Sequence, residues 1–168
     1  MKKILAAIII IAVLAVPSCA NVSMKDILAF QNGDYAAKLI VADENDPTEI
    51  DVTKYGSAYT FTVDGKYTFV YNGEKWQLSY NGLTVPLSGD TLKRSLPKKL
   101  LDALSAPCDG SWSIIEESAD GTQLYICDCT ARNVKFYIDS GTLLPVKIIC
   151  GDTGFDVVKF EAPTANRP

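Results

Sequence analysis

Residues 67–87 read YTFVYNGEKWQLSYNGLTVPL, and two Asn-Gly pairs, Asn72-Gly73 and Asn81-Gly82, divide them into three short runs. Both central residues of a type I′ turn need positive φ, which makes Asn-Gly the strongest short signal of a β-hairpin. Two such turns in succession define an antiparallel meander. Taken as two-residue turns, they also impose a register. Asn72-Gly73 pairs Tyr71 with Glu74, Phe69 with Trp76 and Tyr67 with Leu78. Asn81-Gly82 pairs Tyr80 with Leu83, Leu78 with Val85 and Trp76 with Leu87. Directly opposed residues share a face. One face therefore collects Tyr67, Phe69, Tyr71, Trp76, Leu78, Tyr80, Leu83, Val85 and Leu87. The other collects Thr68, Val70, Lys75, Gln77, Ser79, Thr84, Pro86 and Ser88. Upstream, Asp64-Gly65 admits a two-residue turn or a three-residue loop with a bulge at Gly65. The bulge is expected, because it adds Tyr59 and Phe61 to the apolar face and keeps the faces consistent.

Outward from this stretch, strands are expected at 34–43, 48–54, 57–63, 66–71, 74–80 and 83–88. A helical insert follows at about 91–105, where Leu92, Leu96, Leu100 and Leu104 recur every four residues. Pro97 is awkward inside a helix, so a turn followed by a helix capped at Ser95 fits better; Pro107 stops it. Five further strands are expected at 111–118, 122–130, 133–139, 143–150 and 154–161. Their turns fall at Asp120-Gly121, Arg132-Asn133, Ser140-Gly141 and Thr153-Gly154. Before the first strand, Ser23 caps a short helix with Met24, Ile27 and Leu28 at helical spacing, ended by Asn32-Gly33. Residues 162–168 read as a frayed tail. About eleven sequential strands imply a mainly β, mostly antiparallel fold. Two short helices are a scant partner layer for so large an apolar face. The sheet must fold as a sandwich, close as a barrel, or curl into an open cup lidded by the helices.

The first residues, MKKILAAIIIIAVLAVPSC, combine two lysines, an apolar run from Ile4 to Val16 and a cysteine at 19. This is the pattern of an export signal, and the run is too short to span a membrane as a helix. Its end resembles a bacterial lipobox at Val16, Ser18 and Cys19, with Pro17 departing from the pattern. Cys19 is the expected lipidation site, residues 1–18 the signal peptide and 19–168 a single domain. Ser18-Cys19-Ala20 also offers the small residues of ordinary signal-peptidase cleavage. Lipidation would place the domain on the extracytoplasmic face of the cell membrane, held by acyl chains. Few residues separate Cys19 from the first helix, a reach of only ~10–14 Å. Removal of the signal leaves 14 basic against 20 acidic residues, a net charge of −6, which gives no electrostatic reason to bind nucleic acid.

The chain contains no histidine. That excludes Ser-His-Asp and Cys-His catalysis and the commonest zinc ligand sets. Glu116 and Glu117 are adjacent in an expected strand, so they point to opposite faces and do not converge on a substrate. The stretch Asp43-Glu44-Asn45-Asp46 lacks the spaced ligands and glycine of an EF-hand and reads as a loop. No enzyme activity, metal or cofactor is expected.

The element order and the segment Tyr137-Ile138-Asp139-Ser140-Gly141-Thr142-Leu143-Leu144-Pro145-Val146-Lys147 are similar to the LolA-like fold of lipoprotein carriers, with its late aspartate-threonine-proline hairpin. RseB-type sensors and LppX-type lipid-carrying lipoproteins share that fold. The strand-turn run from Tyr67 to Leu87 is compatible with it. The resemblance implies a strongly curved antiparallel half-barrel, with the N-terminal helix and the helical insert as lid, binding a lipid or acyl chain on its concave face. The ligand-binding residues would then be Tyr59, Phe61, Tyr67, Phe69, Tyr71, Trp76, Leu78, Tyr80 and Val85. Lys93, Arg94, Lys98 and Lys99, the densest basic group, read either as a solvated helix face or as a contact for anionic headgroups. The alternative function is an envelope-stress sensor or regulatory module that binds a membrane-protein partner. A monomer is expected. Cys108, Cys127, Cys129 and Cys150 allow up to two disulfides in an exported domain, with a bridge from Cys108, free thiols and a zinc site as open alternatives.

Overall fold

Eleven strands form one antiparallel sheet: β1 (Tyr35–Val41), β2 (Thr48–Tyr55), β3 (Ala58–Val63), β4 (Tyr67–Tyr71), β5 (Trp76–Tyr80), β6 (Leu83–Leu87), β7 (Ser113–Ala119), β8 (Thr122–Cys129), β9 (Val134–Asp139), β10 (Pro145–Cys150) and β11 (Thr153–Glu161). The structure is a computed structural model and describes residues 22–41, 46–107, 109, 112–119 and 121–162. The signal segment with Cys19, residues 43–45 of the acidic stretch, Cys108 and most of the expected tail lie outside the described residues. Across the sheet the order is β6-β5-β4-β3-β2-β1-β11-β10-β9-β8-β7, so two meanders meet where β1 pairs with β11. The sheet is curved and unclosed: β6 and β7 are its two free edges. The arrangement expected from the LolA-like resemblance is the arrangement observed.

Helix α1 (Met24–Ile27) is capped by Ser23, whose hydroxyl accepts from the Asp26 amide while the Asp26 carboxylate returns to the Ser23 amide. This capping box satisfies donors that a four-residue helix otherwise leaves open. The chain then tightens into a 3-10 turn, Ala29–Asn32, before β1. Helix α2 (Leu96–Leu104) starts at Ser95 with Pro97 in its first turn, as the sequence requires. Leu100, Leu101, Ala103 and Leu104 are buried against the concave face. The core they complete takes Ile50, Val52 and Phe61 from one meander and Phe136, Ile148 and Phe155 from the other.

The Asn81-Gly82 hairpin has the expected register: Tyr80 opposes Leu83, Leu78 opposes Val85 and Trp76 opposes Leu87. The Asn72-Gly73 hairpin does not. Tyr71 opposes Trp76 and Phe69 opposes Leu78, so residues 72–75 form a four-residue loop. The Asn72 side chain accepts from the amides of Glu74 and Lys75, which stabilises the wider loop. The shift is an even number of residues, so every side chain keeps its expected face. At Asp64-Gly65 the expected three-residue loop is present, with Val63 opposite Tyr67. Asp64 and Gly65 both have positive φ and the Lys66 amide donates to Val63, so the extra residue is Lys66 rather than Gly65. The turn expected at Thr153-Gly154 lies instead at Gly151-Asp152, and Thr153 opposes Cys150 within the sheet. Gly151 takes a φ of 64° and its amide donates to the Asn133 carbonyl, a partner on the neighbouring turn.

Leu100 is fully buried at the centre of the shared core. Leu100→Ala is expected to cost about 2–5 kcal/mol by lost burial and cavity formation. The measurement is a urea transition whose midpoint falls while its slope is retained.

Candidate functional site

The pairings of β1 to β6 lay the inward side chains in three rows that cross the strands. One runs Tyr35, Lys54, Tyr59, Tyr71, Trp76, Leu87. The next runs Ala37, Val52, Phe61, Phe69, Leu78, Val85, and the third contains Leu39, Ile50, Val63 and Tyr67, with Tyr80 and Leu83 at its far end. All nine residues expected to bind a ligand therefore share one face. Burial divides them. Phe61 is fully buried and stacks between Tyr59, at 6.0 Å, and Trp76, at 5.8 Å, as part of the packed core. Phe69, Tyr71 and Leu78 are half-buried. Tyr67 and Tyr80 stack on each other at 4.8 Å, yet stand 40% and 41% exposed, and Val85 is 47% exposed. Leu83, at 73%, continues the same patch.

Geometry explains the gradient. A nine-residue helix is only ~14 Å long, whereas eleven strands span ~48 Å across the sheet. Helix α2 and the N-terminal segment fill the middle of the cup and leave the β4–β6 flank uncovered.

Where α2 leaves the sheet there is a groove of about 380 Å³. Tyr59, Tyr71, Trp76 and Leu101 supply its apolar walls, and Lys98 and Asp102 lie at the helix side. Gly73, at a φ of 96°, closes its loop end; a Cβ there would stand 3.3 Å from the Ser57 hydroxyl, so glycine permits the two turns to approach. The Tyr71 hydroxyl donates to the Gly73 carbonyl at 2.6 Å and fixes that loop. Lys54 also lines the groove although it is only 7% exposed. Its ammonium donates to the Gly33 carbonyl at 2.8 Å and lies 5.9 Å from the Tyr59 ring centroid. Next to it in the row, the buried Tyr35 hydroxyl faces the Tyr59 hydroxyl, short of a well-formed hydrogen bond. Burial raises the Tyr35 phenol well above its ordinary range, and raises Tyr59 in the same direction.

Lys54 and Tyr35 were not singled out in the sequence. The available signal was the alternation Ile50, Val52, Lys54 in β2, which carries the lysine onto the apolar face.

The basic cluster is largely committed to acids. Lys93 pairs with Asp90 at 2.8 Å and Lys98 with Asp102 one turn on. Lys99 reaches Asp152 at 2.9 Å and the Thr153 hydroxyl at 2.6 Å, tying α2 to the β10–β11 turn; this bond holds Asp152 below the usual carboxylate range. Arg94 makes no ion pair among the described residues. Of the four, Lys98 lines the groove.

Cys127, Cys129 and Cys150 are buried on the concave side of the second meander. Cys129 and Cys150 oppose Val134 from its two sides, which sets them two strand spacings apart, ~10 Å, beyond disulfide reach. Glu116 opposes Tyr125 and Glu117 opposes Leu124, so the two carboxylates lie on opposite faces. No group of acids, cysteines and histidines that could hold a metal occurs among the described residues.

No family model matches the sequence, and no curated protein matches it. Among solved structures, the chain is similar to MucB in complex with MucA(peri), at 14% identity over 84% of this chain and 55% of that one, with a TM-score of 0.36. It is similar to MucB alone at 14% identity over 83% and 57%, with a TM-score of 0.36. It is similar to LprF from Mycobacterium bovis at 14% identity over 83% and 91%, with a TM-score of 0.42. The chain thus spans a little over half the length of the MucB chains.

Burial pushes the Cys150 thiol up to about 12. The thiolate is disfavoured in the folded protein, so the unfolded chain loses its proton first as pH rises. Stability is therefore expected to fall from about pH 9 towards pH 12. In Cys150→Ala that part of the alkaline loss disappears, and parallel urea titrations of the two proteins measure the difference.

Proposed function

We propose that the protein is an exported lipoprotein, tethered through Cys19, that holds a hydrophobic ligand against its concave face and catalyses no reaction. The observation that carries the reading is the uncovered β4–β6 flank, where Tyr67, Leu78, Tyr80, Leu83 and Val85 form one apolar surface on the same face of the sheet as the groove walls Tyr71 and Trp76. Each methylene of a bound acyl chain buried there contributes ~0.8 kcal/mol, so a long chain binds without a specific polar contact. The tether would keep this surface close to the bilayer that supplies such chains.

Leu83 and Val85 are exposed, so changing both to Asp is expected to alter stability by less than about 1 kcal/mol. Native mass spectrometry of the gently purified wild-type chain is expected to show an adduct of lipid mass, lost or reduced several-fold in the double variant. An adduct-free wild type, or an unchanged adduct in the variant, overturns the reading. A second reading draws on the β6 edge, whose unpaired backbone lies beside the same apolar residues: a segment of a membrane protein could add to it as a strand. Membrane pull-down that recovers one protein dependent on Leu83 and Val85, with no lipid adduct, favours that reading.

Cys19→Ser is expected to move the protein from the membrane to the soluble extracytoplasmic fraction and to abolish the mass added by acylation. Retention in the membrane fraction would show that the tether lies elsewhere.

A further inference from the structure

The groove beside α2 is not uniformly apolar. Lys54 stands in the row Tyr35, Lys54, Tyr59, Tyr71, Trp76, flanked by rings on its strand neighbours. An ammonium has three donors. Among the described residues this one has a single acceptor, the Gly33 carbonyl, and no carboxylate within ion-pair distance. Burial of a charge without a counter-charge is costly unless something compensates it. The Tyr59 ring offers part of that compensation by cation–π attraction. The adjoining Tyr35 hydroxyl is a second buried polar group, short of a well-formed bond to the Tyr59 hydroxyl beside it. Of the two, Lys54 lines the groove, and Tyr35 is its neighbour in the row.

We propose that the groove is the headgroup end of the ligand site, and that Lys54, with the Tyr59 hydroxyl, receives the anionic group of an amphiphile whose chain lies over Tyr71 and Trp76 towards the β6 edge. The inference rests on the hydrophobic-ligand reading above and narrows it to anionic amphiphiles. From β2, which carries Lys54, to β5, which carries Trp76, is three strand spacings, ~14 Å. A chain starting at the ammonium therefore crosses the aromatic wall before reaching Val85 and the exposed patch. The donors are suited to oxyanions: a carboxylate or phosphate group accepts from the ammonium and the Tyr59 hydroxyl together.

The test compares oleate with its methyl ester, which keeps the chain and removes the charge. The full chain carrying Trp112→Phe leaves Trp76 as the only tryptophan, and its emission reports binding in the groove. Oleate is expected to bind about ten-fold or more tightly than methyl oleate, the scale of a charge-assisted hydrogen bond. Lys54→Met is expected to bind both ligands with the affinity of the ester, whereas Lys54→Arg keeps the preference. Dodecyl phosphate in the same titration tells a phosphate headgroup from a carboxylate; preference for either anion supports the assignment. Equal affinity of the wild type for oleate and ester overturns the role of Lys54 and leaves the hydrophobic-ligand reading standing. Binding of none of these ligands overturns both. If Lys54→Met does not fold, the oleate–ester comparison in the wild type and the Lys54→Arg result still decide.

Discussion

The pairing of β1 with β11 holds the structure together. Ala36 opposes Glu161 across nearly the whole described chain, and this contact joins two meanders that would otherwise be separate one-faced sheets. Neither could bury its apolar face on the helices available. Joined and curved, they share α2: Leu100 and Leu104 pack in one core with Phe61 on one side and Phe136 on the other. The ladder breaks register between Lys38 and Leu39, where β11 carries an extra residue. Such a bulge increases local twist, and here it also lets both Val157 and Phe160 face inward. Phe160 then meets Tyr35 at 4.9 Å and Phe30 at 5.7 Å, while Phe30 reaches Phe136 at 5.5 Å. The aromatic cluster of the N-terminal segment thus sits over the seam between the meanders.

Strand count, most turn positions and the membership of the apolar face were legible because they depend on period-two alternation and local turn chemistry. Even the misread Asn72-Gly73 loop preserved the faces, since an even shift in register leaves each side chain where it was. What failed was set by contacts the local sequence does not contain. Gly151 makes the last tight turn because its amide meets Asn133 from another hairpin, whereas Thr153-Gly154 looked equally suitable in isolation. The shape of the sheet was also not legible from alternation: sandwich, barrel and cup have the same inward residues, and only the β1–β11 pairing and the unpaired β6 and β7 edges distinguish them.

The candidate site was legible in part for the same reason. Its aromatic members announced themselves, but their division into core and surface did not. Phe61 and Tyr80 occupy equivalent positions in the alternation, and only the short length of α2 decides that one is sealed and the other open. Lys54 was obscure because a lysine in a strand is ordinarily assigned to the solvent face.

A methionine at 54 would continue the alternation of Ile50 and Val52 and avoid desolvating an ammonium; replacement of buried charges by apolar groups is often neutral or stabilising. In return the lysine makes one bond, to the carbonyl that ends the 3-10 turn, and that bond could be replaced by solvent at a groove wall. The net effect on folding is therefore small or unfavourable, and the Tyr35 hydroxyl beside it, poorly bonded to Tyr59, adds a further cost. Both groups occur in a single row, and Lys54 lines the groove beside the lid helix. Elsewhere the concave core among the described residues is apolar and close-packed. Polar groups buried by accident of folding would be scattered through that core; the position of Lys54 on the groove instead fits the proposed headgroup role.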